Sequence, residues 1–164
     1  MSRLMISSDL HLGHKNAYKW RGGFESPEEH HELVFENLAA NINKRDTLLL
    51  CGDVAFDQYW LDKLSTINCV KKILVLGNHD TERLDVLRFR EVFDEIHGLL
   101  KMRKIWFSHC PIHPAELRGC RGNIHGHVHE KTIADDRYFN ACLENTAYAP
   151  VSFQDILHIT GWNK

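Results

Sequence analysis

The sequence predicts an α/β fold: two packed mixed β-sheets flanked by helices. Three observations predict it. Short apolar runs alternate with helical patterns through the first half, as βαβ units and a largely parallel sheet require. The second half is strand-rich, with polar turns between its runs, and antiparallel pairs are expected there. The chain has 164 residues, 43% of them hydrophobic and 26% charged, the size and balance of a single globular domain over residues 1–164.

The elements follow in order. Leu4-Met5-Ile6 reads as a strand leading into a loop of Asp, His and Gly. Ser26-Pro27-Glu28-Glu29 opens a helix, with Ser as N-cap, Pro in the first turn and Glu three residues after the cap. Val34, Leu38 and Ile42 then recur at helical spacing. Thr47 to Cys51 is a buried strand, Tyr59 to Leu64 a short helix, Lys72 to Leu76 a strand and Glu82 to Phe93 a helix. Glu95 to Leu100 and Ile105 to Ser108 read as strands joined by a turn at Lys101 to Lys104. Asn123 to His125, Arg137 to Phe139 and Ile156 to Ile159 complete the strands.

Composition narrows the function classes. Lys plus Arg is 20 against 22 for Asp plus Glu, so a globally basic nucleic-acid binder is disfavoured, although a local basic patch is compatible. No apolar run reaches the ~20 residues that span a bilayer, and the N-terminus lacks the pattern of a signal peptide. Five cysteines without a CxxC pair argue against a disulfide framework or zinc ribbon and for a cytoplasmic setting.

The chemical signal lies at five strand ends: Asp9-Leu10-His11, Gly52-Asp53, Gly77-Asn78-His79-Asp80, Ser108-His109 and Gly126-His127-Val128-His129. Ligands in such sheets bind beyond the carboxyl ends of the strands. Parallel neighbours would therefore bring Asp9, His11, Asp53, Asn78, His109, His127 and His129 together. These N and O donors, with no cysteine among them, suit two divalent ions sharing a carboxylate; Mn is favoured, with Fe, Zn or Ni as alternatives. Two dications against two carboxylates leave a positive site that suits a phosphate ester. Turn statistics explain Asp, Asn and His after one or two strands, not after five.

Taken jointly and in order, these blocks resemble the calcineurin-like metallophosphoesterases. The Asp9-Leu10-His11-Leu12-Gly13-His14 start and the Pro150-Val151-Ser152 ending look most like the small bacterial and phage members. The resemblance implies a four-layer αββα sandwich and hydrolysis of a phosphodiester or phosphomonoester by a metal-bridging hydroxide. By the same resemblance, Asp9, His11 and His129 would hold one metal, Asn78, His109 and His127 the other, and Asp53 would bridge. His79 would contact the phosphate and assist the leaving group, with Asp80 placed to orient its ring. The protein phosphatases of the superfamily carry GDxxDRG and GNHE, where this chain has Gly52-Asp53-Val54-Ala55-Phe56-Asp57 and Gly77-Asn78-His79-Asp80. Small diesters or nucleotide-like substrates are therefore favoured over phosphoproteins. The alternatives are a nuclease or nucleic-acid end-processing enzyme and a non-catalytic scaffold; the intact ligand set disfavours the scaffold. Oligomeric state has no sequence signal.

The remaining candidates read as ordinary. His14 is equally a site residue or a solvated one. Asn16, Arg21, His30 and His31 read as surface, His97, His113, His125 and His158 as structural, and Cys110 as a small buried residue.

Overall fold

A computed structural model describes residues 2–163. In chain order the first half holds β1 (Leu4–Ser7), α1 (Ala17–Arg21), α2 (Pro27–Asn41), β2 (Thr47–Leu50), α3 (Gln58–Ser65), β3 (Lys71–Val75), α4 (Val86–Phe89) and β4 (Glu95–His97). The second half holds β5 (Leu100–Met102), β6 (Ile105–Phe107), β7 (Gly122–His125), β8 (Tyr138–Asn140), β9 (Val151–Ser152) and α5 (Phe153–Thr160).

The expected two mixed sheets are present. One has the order β4-β3-β2-β1-β9, parallel except for β9. The other has the order β5-β6-β7-β8, parallel except for the β5–β6 hairpin. The pleat sends alternate side chains to opposite faces. Leu48 and Leu50 join Met5 and Leu74 against Val34 and Leu38 of α2 and Leu61 and Leu64 of α3. Leu49, Ile6, Ile73 and Val75 turn the other way, onto Ile105, Phe107 and Ile124 of the second sheet. Both faces of β2 are thus covered, which is why its run is uniformly apolar. The α2 start is as read: Ser26 Oγ accepts the Glu29 N–H at 3.1 Å. Among the described residues no helix is long and apolar enough to cross a membrane.

Three expectations fail locally. Ile156 to Ile159 is helical, because Ser152 Oγ caps the Asp155 N–H at 3.1 Å and Gly161 ends α5 in a left-handed conformation. Phe153, Ile156 and Leu157 of that helix enter the inter-sheet core. Glu82 to Phe93 forms only the single turn α4: Asp85 starts it by accepting the Leu87 N–H, and Phe89 O closes the following turns onto Val92 and Phe93. Glu95 to Leu100 is split between sheets, with β4 beside β3 and β5 beside β6. The turn after β5 is only Arg103-Lys104, both at positive φ (53° and 63°) as a type I′ hairpin demands. The antiparallel pairs expected of the second half are β5–β6 and β9–β1, while β6, β7 and β8 run parallel.

Candidate metal centre

All five chemistry-bearing segments begin within three residues of a strand's carboxyl end: after β1, β2, β3, β6 and β7. The loops after β1 and β2 continue their strands' pairing. Asp9 N–H donates to Gly52 O and His11 N–H to Asp53 O, each at 3.0 Å. In the second sheet the loops after β6 and β7 do the same, with Gly126 N–H donating to His109 O at 2.8 Å. Two glycines permit this crowding. A Cβ on Gly126 would stand 1.9 Å from Ser8 Oγ and 2.2 Å from Asp9 Oδ2, and one on Gly77 would stand 2.2 Å from Asp53 Oδ1.

The backbone here is coiled against its preference. Asp9 (φ 58°), His11 (49°), Asp53 (53°), His127 (71°) and His129 (51°) are all left-handed. Each such non-glycine residue costs on the order of 1 kcal/mol. The site is therefore imposed by the sheets and loops around it.

The seven residues read as ligands come together. Asp9 Oδ2 is saturated, accepting from Ser8 Oγ (2.6 Å), His127 N–H (2.9 Å) and Cys142 Sγ (3.2 Å). Asp9 Oδ1 is buried without a hydrogen-bond partner, as are both ring nitrogens of His11. His11 Nε2 lies 3.6 Å and His129 Nε2 4.0 Å from that oxygen. Asp53 Oδ1 accepts the His79 N–H at 2.9 Å. Its Oδ2 faces His11 Nε2 at 3.8 Å on one side and His109 Nε2 at 3.3 Å on the other. Around His109 Nε2 stand Asn78 Oδ1 at 2.9 Å and His127 Nδ1 at 3.2 Å. Buried acceptors normally find partners. The orphaned atoms of Asp9 and His11, met by ligand atoms from the other segments, fit cations, with Asp53 between two groups of donors.

Hydrogen bonds fix the rings for that use. His109 donates Nδ1–H to Cys51 O at 2.8 Å and His129 donates Nδ1–H to Glu144 Oε1 at 2.9 Å, so both turn Nε2 inward. Burial opposes charge on His109, but Asp53 and Asp9 outweigh it and hold its pKa at about 9. Burial likewise opposes charge on Asp9, yet His11, His109, Ser8 and the His127 N–H keep that carboxyl far below its usual range.

Several residues depart from the sequence reading. Arg21 is not a surface residue: its side chain is fully buried, its Nε donates to Glu144 Oε1 at 2.8 Å, and its guanidinium also holds the Asp9 and Leu10 carbonyls. His30 and His31 are buried as well. Arg21 Nη1 donates to His30 Nε2 at 2.7 Å, so His30 carries its proton on Nδ1 and donates that N–H to His31 Nδ1 at 2.9 Å. Burial, Arg21 and His31 lower the His30 pKa to about 3. Arg21 and Glu144 are the site residues that sequence reasoning missed; they meet only in three dimensions. Cys110 is exposed, not buried, beside His109 and His127.

His79 sits at the mouth, its side chain 38% exposed, with Nδ1 2.8 Å from Glu82 Oε2. Asp80 does not face that ring. It is 1% exposed and turned inward: Oδ2 accepts the Asp53 N–H (3.0 Å) and Gly77 N–H (2.7 Å), and Oδ1 accepts the Val54 N–H (2.8 Å). Asp80 therefore clips the loops after β2 and β3 together, and Glu82 is the acid beside His79.

The calcineurin-like phosphoesterase family profile matches residues 2–157. A crystal structure of a protein of unknown function from Aquifex aeolicus superposes over 97% of this chain and 100% of that one, at 26% identity and TM-score 0.78. Nuclease MPE of Pseudomonas putida superposes over 77% of this chain and 62% of that one, at 20% identity and TM-score 0.53, a likeness of fold alone. The Gene 66 protein of Mycobacterium phage L5 is 29% identical over 85 residues, which span 49% of this chain and 41% of the phage protein.

Proposed function

We propose, because the chain belongs to the calcineurin-like phosphoesterase family, that it hydrolyses phosphate esters at two divalent cations, small diesters or nucleotide-like esters foremost. The observation that carries the reading is Asp53 Oδ2, which faces His11 Nε2 and His109 Nε2 from between two groups of donors. Asp9, His11 and His129 would hold one cation, Asn78, His109 and His127 the other, and Asp53 both. Mn is the cation proposed, and Fe, Zn or Ni are also compatible with this N/O set. Bound there, the pair would supply Lewis acidity and a water acidic enough to attack near neutral pH.

The protein's own groups do the rest. Arg21 and Glu144 hold His129 and the Asp9 backbone in place. Asp80 holds the Asp53 and Gly77 backbones. His79 reaches solvent at the mouth, where its ring would hydrogen-bond the phosphate and protonate the departing oxygen, with Glu82 orienting it.

The test is a screen of mono- and diesters with Mn-reconstituted protein, together with elemental analysis. About two metals per chain and diester hydrolysis are expected. One tightly bound metal with full activity would refute the paired site. His79→Ala should keep its metals and lose ~10²–10⁴-fold in kcat on alkyl esters, and less on nitrophenyl esters that need little protonation. Full turnover on an alkyl ester would remove His79 from the mechanism.

A further inference from the structure

A cleft of about 360 Å³ opens beside the metal centre and is bordered by His14, Lys15, Asn16, Phe56 and Arg83. Two of its border residues touch a candidate ligand, His11. Phe56 stacks on His11 at 5.4 Å and lies 5.6 Å from His79. His14 meets His11 edge-on at 5.8 Å and accepts the Asn16 N–H on Nδ1, which leaves its Nε2–H to donate. Lys15 and Arg83 are exposed, and neither forms an ion pair among the described residues. Asp57 also borders the cleft, but its Oδ1 is engaged by the Trp60 N–H at 3.0 Å. Two free cations against one engaged carboxylate leave the cleft positive.

Between this cleft and the ligands stands Trp20. The indole is 48% exposed. It meets His129 at 5.0 Å, His11 at 5.3 Å and His14 at 5.9 Å, edge-on in each case. A large, open aromatic surface at a phosphate-ester site has an obvious complement in a nucleobase, since every base offers a π-face. A cationic cleft beyond it matches the next negative charge along the chain.

We propose that this cleft is a subsite for the second phosphate of an oligonucleotide, with Trp20 as the stacking surface for the adjoining base. The proposal rests on the phosphoesterase reading above. It makes the substrate a short nucleic-acid strand or strand end, not a simple small diester. Lys15 and Arg83 bind the neighbouring phosphate, and the His14 Nε2–H gives it a neutral donor.

Four probes separate the possibilities: bis(4-nitrophenyl) phosphate, thymidylyl-thymidine (TpT), and the same dinucleotide with a terminal phosphate at its 5′ end and at its 3′ end. Wild-type Mn protein should hydrolyse all of them. Its kcat/KM should be at least about tenfold higher for one phosphorylated dinucleotide than for TpT, the worth of a charge-assisted contact. Arg83→Ala should bring that ratio close to one, and Arg83→Lys should restore part of it. Trp20→Leu, which keeps an apolar cover over the histidines, should lower the ratio of TpT to bis(4-nitrophenyl) phosphate roughly ten- to a hundredfold. Metal content, measured on each variant, should match wild type. Hydrolysis of bis(4-nitrophenyl) phosphate with no gain from either terminal phosphate and no effect of Trp20→Leu would overturn the subsite alone. No hydrolysis of any probe by metal-loaded protein would overturn the phosphoesterase reading and the subsite with it.

Discussion

Asp80→Asn separates the inward clip from the orienting role that its place after His79 suggests. The carboxylate accepts three backbone N–H groups, two on Oδ2 and one on Oδ1. Burial pushes its pKa up against those bonds, and the Asp53 charge adds to the rise. The charge itself is thus no asset, and the acceptors are what stabilise. Asparagine can keep its oxygen toward the Asp53 and Gly77 N–H groups, but its NH₂ then meets the Val54 N–H. Two buried donors are left unpaired, at ~1–3 kcal/mol each. Allowing for relaxation, the loss is ~2–4 kcal/mol. For a chain of 164 residues each kcal/mol moves Tm by ~2–4 °C, so a fall of ~5–15 °C is expected. Asp80→Ala, with three N–H groups orphaned, should fall further. The assay is thermal unfolding followed by circular dichroism in chelator, where no metal masks the difference. An Asp80→Asn protein that melts within ~2 °C of wild type, but turns over slowly with its metals bound, would refute the clip and restore the orienting role.

Other outcomes follow from the same geometry. Glu144→Gln should lower cation affinity ~10–100-fold, because His129 loses the carboxylate that fixes its tautomer, and should lower Tm, because the buried Arg21 loses its carboxylate partner; titration with Mn by calorimetry and thermal unfolding check the two effects. Gly126→Ala should be both destabilised, by ~2 kcal/mol or more, and metal-poor, because its Cβ displaces Ser8 and Asp9; melting and elemental analysis on one sample test both. His109 must be neutral to ligate, yet holds its proton up to about pH 9 without metal. Cation affinity should therefore rise about tenfold per pH unit from pH 6 toward 9, with proton release on binding; an affinity flat across that range would contradict the assignment.

The parts of the fold that were legible in the sequence are those fixed locally. The strands at Leu4 and Thr47, and the helix after Ser26, are set by apolar runs and a capping residue. The convergence of the seven candidate ligands was legible because each follows a strand, and parallel pairing aligns strand ends. The left-handed backbone of five of those candidates had no sequence signal, and neither did the Arg21–Glu144 pair, whose partners are 123 positions apart. His30 and His31 were misplaced for the same reason: Arg21 and Trp60 bury them from outside their own helix. The final helix was a different failure. Ile156 to Ile159 reads as a strand from its apolar residues, whereas the cap that Ser152 places on the Asp155 N–H makes it a helix. Asp80 was judged by its neighbour in sequence, whereas its side chain points away from that neighbour.

The left-handed turns at Asp9, His11, Asp53, His127 and His129 bear on how this chain could decay. Glycine adopts such a turn without penalty. A use for the side chain accounts for keeping aspartate or histidine at all five. A descendant released from chemistry would profit from glycine at each of these five places, and would drift toward a sturdier, inert protein with the same outline. The pattern of glycine against Asp and His at those positions is then a record, readable in any relative that shares the fold, of whether its site is still in service.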